Sequence, residues 1–157
     1  MRPFEQVVAE HGAMVLRVCR AVVGPDDADD AWSETFISAL RAYPNLDEGA
    51  NVEAWLVTIA HRRALDVVRT RGRRAVPVGA VPDRASNPHA EPDPDLWDAV
   101  AALPTRQRQA LAYHYLGGLR YPQIAEITGS SPDATRRAAA DGMRTLRSRI
   151  TKDTFDA

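Results

Sequence analysis

Residues 121–137 read YPQIAEITGSSPDATRR and contain the pattern on which the fold of the second half of the chain depends. Ile124 and Ile127 have the spacing of an apolar helix face, and Ala125 is small enough for a second helix to cross closely. Gly129 accepts the positive φ that a tight turn between two helices requires. The pattern predicts a helix-turn-helix.

A basic helix follows this turn. Ser130 or Ser131 can cap its first turn, and Pro132 suits the first helical position. We expect the helix to run to about Ile150 and to present its amino-terminal end to the DNA major groove. Its arginines can bond a guanine edge or a phosphate, and the spacing leaves both roles open. The candidate DNA-binding residues on it are Asp133, Ala134, Arg136, Arg137 and Ala140.

Five further helices precede the motif. Apolar periodicity and breaking residues predict three in the first half, which can bury a common core, and two short ones before the turn. Thr105 is the expected N-cap of the fifth. The predicted ranges are 4–22, 27–42, 51–72, 95–102 and 105–116.

The region between the halves differs in composition. Five of the 11 prolines fall between Ala75 and Pro94, and no apolar periodicity lasts there. Such a stretch is typical of an extended linker. We therefore predict an all-α fold with two small helical domains, residues 1–74 and 95–157, joined by a Pro-rich linker at 75–94, the second domain carrying the helix-turn-helix.

The charge of the chain is segregated although the net charge is only −1. Residues 26–34 hold five acids and no base, whereas residues 61–74 hold six arginines and one aspartate. Residues 136–152 form a second basic segment. Two basic surfaces that contact phosphate are consistent with such a pattern. In the first of them, Arg62, Arg63 and Arg69 are the candidate DNA-binding residues.

Other functional classes find little support. A single cysteine, Cys19, excludes an internal disulfide framework, and no apolar run approaches the ~18 residues of a membrane span. The amino terminus lacks the apolar stretch of a signal peptide. The histidines and Cys19 show no metal-ligand spacing, and no phosphate loop, nucleophile elbow or dinucleotide fingerprint occurs. We expect a cytoplasmic protein without membrane insertion, metal, cofactor or enzymatic activity.

Both halves together resemble the extracytoplasmic-function (ECF) sigma factors of bacterial RNA polymerase. In the first half, residues 27–36 (DADDAWSETF) and 55–69 (WLVTIAHRRALDVVR) are similar to the acidic and tryptophan-bearing motifs of the family. In the second half, residues 103–108 (LPTRQR), 115–121 (YLGGLRY) and 124–126 (IAE) are similar to its second conserved domain. The order of the motifs makes the resemblance specific.

The resemblance implies a protein that binds core RNA polymerase, recognises and opens promoter DNA and directs transcription initiation. The third helix and the loop from Asn45 to Val52, with Tyr43 nearby, would engage the −10 element, and the helix from Pro132 would read the −35 element. An anti-sigma factor or another regulator is an expected partner. The implied polymerase-binding residues are Asp30, Glu34 and Phe36.

One departure from the family concerns the recognition helix. The family usually opens this helix with Gly-Thr-Val-Lys, and here Asp133-Ala134-Thr135-Arg136 stands instead. Thr135 therefore occupies a place where an apolar residue normally packs the turn. Two alternatives stay open at this point: a stand-alone helix-turn-helix regulator that acts without polymerase, and an interaction protein that no longer reads DNA.

Overall fold

The computed structural model describes residues 2–73 and 94–155, and none of these residues is in a strand. The all-α prediction is confirmed. Residues 75–93 of the predicted linker and the outermost residues at both ends lie outside the described residues, whereas Pro94 begins the fourth helix. The helices are α1 Phe4–Val23, α2 Pro25–Ala42, α3 Val52–Arg73, α4 Pro94–Ala101, α5 Thr105–Leu111, α6 Tyr121–Thr128 and α7 Pro132–Phe155, with a 3-10 turn at Tyr43–Asn45 and a π-helical turn at Ala112–Leu116.

Three details of the helices differ from the prediction. Thr105 is not an N-cap, because α5 begins at this residue and Pro104 precedes it. The fifth helix does reach Leu116, but its last five residues form the wider π-helical turn. The last helix continues to Phe155, five residues beyond the expected end.

Helices α1, α2 and α3 pack around an aromatic group in the first half. The indole N–H of Trp32 donates to the carbonyl of Gly12 at 2.9 Å and so ties α2 to α1. The ring of Phe36 lies 4.7 Å from that of Trp32 and 6.3 Å from that of Phe4, between centroids. Phe36 is only 6% exposed. Its side chain is therefore part of the core.

The helices of the second half pack partly on one another and partly on the first half. A small apolar cluster joins α4, α5 and α7. The larger cluster is shared: Tyr113 and Ile124 are buried with Val57 of α3 and Cys19 of α1. The two halves are therefore in contact through one continuous apolar core. The domain division at 74 and 95 stays a prediction.

A buried hydrogen bond crosses this contact. The ring Nδ1 of His61 on α3 and the hydroxyl oxygen of Tyr113 are 2.6 Å apart, and the two rings meet edge to face. Tyr113 is 1% exposed and His61 is 7% exposed. Burial raises the pKa of Tyr113 and lowers that of His61, and the cations of Arg106 and Arg62 lower the latter further. The neutral forms of both groups are therefore favoured.

Candidate DNA and polymerase interfaces

The turn between α6 and α7 has the predicted geometry. Gly129 adopts the left-handed conformation, with φ 71° and ψ 35°. The N–H of Ser130 donates to the carbonyl of Ala125 at 2.9 Å, which closes the end of α6. Ala125 and Ile124 are buried, as expected of the crossing between the two helices. Because a side chain at Gly129 would strain this conformation, glycine is required at the turn.

The first turn of α7 is held by Ser131. Its hydroxyl oxygen accepts a hydrogen bond from the N–H of Ala134 at 3.1 Å, so Ser131 is the cap. The hydroxyl of Thr135 donates to the carbonyl of Ser131 at 2.8 Å. Thr135 is only 4% exposed, and this bond satisfies its polar group. A threonine is therefore accommodated in the position that the family usually gives to an apolar residue.

Small residues let α7 approach α5 closely. A methyl group added at Gly142 would lie 2.8 Å from Cδ1 of Leu111, which is closer than carbon atoms pack. Nearer the turn, Thr135 and Ala138 leave a cavity of about 190 Å³ against α5 and α6. The close approach at Gly142 could not be predicted from the sequence, because a glycine inside a helix gives no indication of what it touches.

The predicted DNA-binding residues of α7 share one face. The spacing of the five residues places them along one side of the helix, and all five are exposed. Arg136 bonds Asp133, with Nη1 and Oδ1 2.9 Å apart, and its guanidinium lies 5.5 Å from the ring centroid of Tyr121. Arg137 has no partner among the side chains that the structure describes. The two adjacent arginines therefore have different surroundings.

An aromatic group that the sequence analysis missed supports Arg136. The rings of His114 and Tyr121 are stacked, with centroids 4.3 Å apart and planes 15° apart. His114 Nδ1 lies 2.8 Å from the carbonyl oxygen of Leu119. Burial, together with the neighbouring Tyr115, raises the pKa of Tyr121. His114, Tyr121 and Arg136 lie in three different helical segments, so their spacing in the sequence gives no indication that they meet.

The basic end of α3 presents the second candidate surface. Arg62 and Arg69 are exposed, as a phosphate-binding role requires. Arg63 is half-buried and lies 3.4 Å from Asp66. Adjacent to them, His61 points to the second half of the chain. The helix thus combines an exposed basic side with a buried side that contacts Tyr113.

The loop before α3 borders an open cavity. The side-chain oxygen of Asn51 accepts from the N–H of Ala54 at 3.0 Å and starts the helix. The hydroxyl of Tyr43 donates to the carbonyl of Arg2 and ties the loop to the amino terminus. The cavity measures about 330 Å³ and is lined by Arg2, Tyr43, Leu46, Asp47, Glu48 and Val52. The structure thus brings the loop residues and Tyr43 around one pocket.

Helix α2 carries the residues predicted to bind polymerase. Asp30 and Glu34 are exposed, whereas Phe36 is buried between Phe4 and Trp32. The Phe36 ring fills the core, and its polymerase-binding role stays a prediction. Two apolar residues of the same helix, Ile37 and Leu40, are 46% and 56% exposed. The exposed side of α2 therefore carries both acidic and apolar side chains.

No group of three or more histidine, cysteine, aspartate or glutamate side chains in residues 2–73 and 94–155 is arranged to hold a metal ion. No helix in the same ranges is long and apolar enough to cross a bilayer. Cys19 is buried, which raises its pKa to about 12.

The fold and the exposed face of α7 define an all-α protein of the helix-turn-helix class. The Sigma-70 region 2 family matches residues 7–74, and the Sigma-70 region 4 family matches residues 94–146. RNA polymerase sigma factor CarQ of Myxococcus xanthus is 30% identical over 158 residues, covering 92% of this chain and 87% of its own. ECF sigma factor SigE of Mycolicibacterium smegmatis is 30% identical over 97% of this chain, which spans 63% of the length of SigE.

Solved structures share the fold. Sigma factor RpoE of Bartonella quintana, in complex with the anti-sigma factor NepR, has a TM-score of 0.76 at 20% identity, covering 94% of this chain and 96% of RpoE. CnrH, in complex with the cytosolic domain of CnrY, has a TM-score of 0.69 at 24% identity, covering 96% of this chain and 88% of CnrH.

The chain belongs to the ECF group of RNA polymerase sigma factors. Its function is that of a sigma factor, which binds core RNA polymerase, recognises promoter DNA and directs transcription initiation. The stand-alone regulator considered above is set aside, because a sigma region accounts for each half of the chain.

Proposed function

We propose that the two halves of this chain divide promoter recognition between them, residues 1–74 acting at the −10 element and residues 95–157 at the −35 element. The observation that carries this proposal is the exposed face of α7, where Arg136 and Arg137 stand beside a correctly formed turn. Arg136 and Arg137 lie at the amino-terminal end of α7, and in a recognition helix this end enters the major groove. The proposed DNA-binding residues of α7 are Asp133, Ala134, Arg136, Arg137 and Ala140.

The −10 element is proposed to meet α3 and the loop before it. Arg62 and Arg69 are exposed and can bind phosphates of the opened strands, while Arg63 supports the same surface from a half-buried position. The cavity beside Tyr43 is about 330 Å³, enough for one base that leaves the stack. Transcription from a supercoiled promoter with Arg62→Ala tests the assignment, because permanganate reactivity of the −10 strands reports opening directly.

Core polymerase is proposed to bind the exposed side of α2. Asp30 and Glu34 supply charge there, and the neighbouring Ile37 and Leu40 supply apolar area that water otherwise covers. Glu34→Ala combined with Leu40→Ala should weaken binding to core polymerase in a pull-down. Glu5→Ala on α1, which is also exposed and acidic, is the control.

Reading both elements at once requires the halves to separate. Positions −35 and −10 are about 25 base pairs apart, which corresponds to roughly 85 Å of duplex. A compact chain of this length has a radius of gyration of only about 15 Å. The contact through His61 and Tyr113 therefore belongs to the protein away from the promoter, and bound polymerase and DNA must offset its loss.

We further propose that the protein acts in the cytoplasm, without cofactor or catalytic activity, and is regulated by a protein partner. The support for a partner is the shared fold with RpoE, whose solved structure contains the anti-sigma factor NepR. The test of the whole proposal is run-off transcription with purified core polymerase and this chain. Absence of both a promoter-dependent transcript and a stable complex with core would refute it.

A further inference from the structure

Arg136 is held from two sides at the start of the recognition helix. Asp133 bonds its Nη1 at 2.9 Å, and the ring of Tyr121 lies 5.5 Å from its guanidinium carbon. Both contacts restrain the guanidinium of the exposed Arg136 side chain, one by charge and the other by the electron-rich face of the ring. Its neighbour Arg137 has no such contact among the side chains that the structure describes. The difference in contacts implies that Arg136 and Arg137 have different roles in DNA binding.

Tyr121 is itself fixed in place. His114 stacks on its ring at 4.3 Å, and the imidazole Nδ1 lies 2.8 Å from the carbonyl of Leu119. The backbone N–H of Arg120 donates to the side-chain oxygen of Gln123 at 2.9 Å, which holds the start of α6. A ring in this setting cannot turn away freely. Tyr121 is therefore a stable support for the guanidinium rather than a side chain that follows it.

A guanidinium held in this way suits a base better than a phosphate. An arginine reads guanine by bonding O6 and N7 together, which demands a fixed orientation, and a flexible arginine gains less from this geometry. A phosphate contact carries no base information, and the carboxylate of Asp133 next to Arg136 would repel a phosphate. Asp133 uses one nitrogen of the group, so the remaining N–H donors stay free for a base edge.

We propose that Asp133 and Tyr121 are positioning residues that make Arg136 the guanine reader of the −35 element, while Arg137 binds phosphate. This inference rests on the proposed entry of α7 into the major groove. The specificity of Arg136 thus comes from its two neighbours and not from the arginine alone.

The test measures base preference rather than activity alone. Polymerase core and full-length protein transcribe a promoter library with a randomised −35 region, and sequencing of the transcripts gives the preference at each base. Arg136→Ala should reduce the preference for guanine at one position by roughly 5- to 150-fold. Arg137→Ala should instead weaken binding on all sequences alike and lower the salt dependence of binding by about one phosphate contact.

Variants of the two neighbours separate positioning from charge. Asp133→Ala should reduce the guanine preference at the Arg136 position while total binding holds or rises, because a negative charge has been removed. Asp133→Asn keeps an acceptor and should restore much of the preference. Tyr121→Leu should act like Asp133→Ala, and Tyr121→Phe should retain the preference, since the ring remains.

A matched control lies on the same helix. Asp141 and Arg144 form the same pair, three residues apart, at 3.3 Å. Asp141→Ala removes equal charge from α7 and should leave the guanine preference unchanged. It also shows whether any effect of Asp133→Ala is simply the loss of a helix ion pair.

Each outcome decides the matter. An unchanged guanine preference in Asp133→Ala and Tyr121→Leu would overturn the inference and leave the proposed function intact. A uniform loss of binding in Arg136→Ala would overturn it as well, because Arg136 would then be a phosphate contact. If wild-type protein yields no promoter-dependent transcript from any library member, the proposed function and the inference fail together.

Discussion

Replacement of Tyr113 by phenylalanine should weaken the contact between the two halves of this sigma factor. In Tyr113→Phe the ring still fills the core, but the hydroxyl that lies 2.6 Å from His61 Nδ1 is lost. Because His61 is only 7% exposed, its ring nitrogen would be left without a partner inside the protein. A buried polar group in that state costs about 1–3 kcal/mol. The contact should therefore weaken by roughly 5- to 150-fold.

The assay follows the distance between the halves. Ser33 on α2 and Ser148 on α7 are exposed and can be replaced by cysteine and labelled with a dye pair. Cys19 is buried with a pKa of about 12 and should stay unlabelled. Single-molecule energy transfer across a urea series reports the open fraction, even where the equilibrium lies far to one side. Tyr113→Phe should open at lower urea than the wild type.

The control removes a hydroxyl elsewhere. Tyr43→Phe loses the bond from its hydroxyl to the carbonyl of Arg2, which lies wholly in the first half. It should leave the open fraction unchanged. Equal opening curves for Tyr113→Phe and the wild type would refute the reasoning, because the His61–Tyr113 bond would then contribute nothing to the contact.

Three further predictions concern stability. Burial and nearby cations lower the pKa of His61, so the folded protein favours the neutral ring. The free energy of unfolding should therefore be largest above about pH 6.5 and should fall as the pH drops towards the lowered pKa of His61. Melting temperatures across pH 5–8 will show this dependence. His61→Gln should flatten that dependence, and an equally steep slope would contradict the assignment. Gly142→Ala should cost about 1–3 kcal/mol in urea unfolding, because the new methyl group meets α5, whereas Gly49→Ala, which meets nothing, should be close to neutral. Ser131→Ala should cost about 0.5–2 kcal/mol through loss of the cap of α7, and Ser130→Ala, which caps nothing, should cost less; equal effects would mean that Ser131 is not the cap.

Local patterns predicted the helices well because each depends on neighbours in sequence. The turn at Gly129 and the cap at Ser131 follow from the conformational freedom of glycine and the hydroxyl of serine, which are properties of single residues. The exposed face of α7 follows from helical spacing alone. These features carried the prediction of DNA binding before any tertiary contact was known.

Patterns failed where tertiary packing chooses among similar residues. Phe36, Ile37 and Leu40 are all apolar and all on α2, yet only Phe36 is buried, because α1 and α3 cover one side of the helix. Helical periodicity identifies the apolar side of a helix, but it does not show how much of that side the neighbouring helices cover. The exposure of Ile37 and Leu40 therefore could not be predicted from their spacing, and the polymerase-binding role of Phe36 stays a prediction.

The residues and their spacing were enough to predict an all-α chain, a helix-turn-helix in its second half and motifs similar to those of ECF sigma factors. Which residues meet across the chain depends on tertiary packing. His61 and Tyr113 are 52 residues apart and Tyr121 reaches Arg136 from another helix, and such pairs leave no mark in local spacing. The contact between the halves and the support under Arg136 depend on how helices pack, which is a property of the whole core.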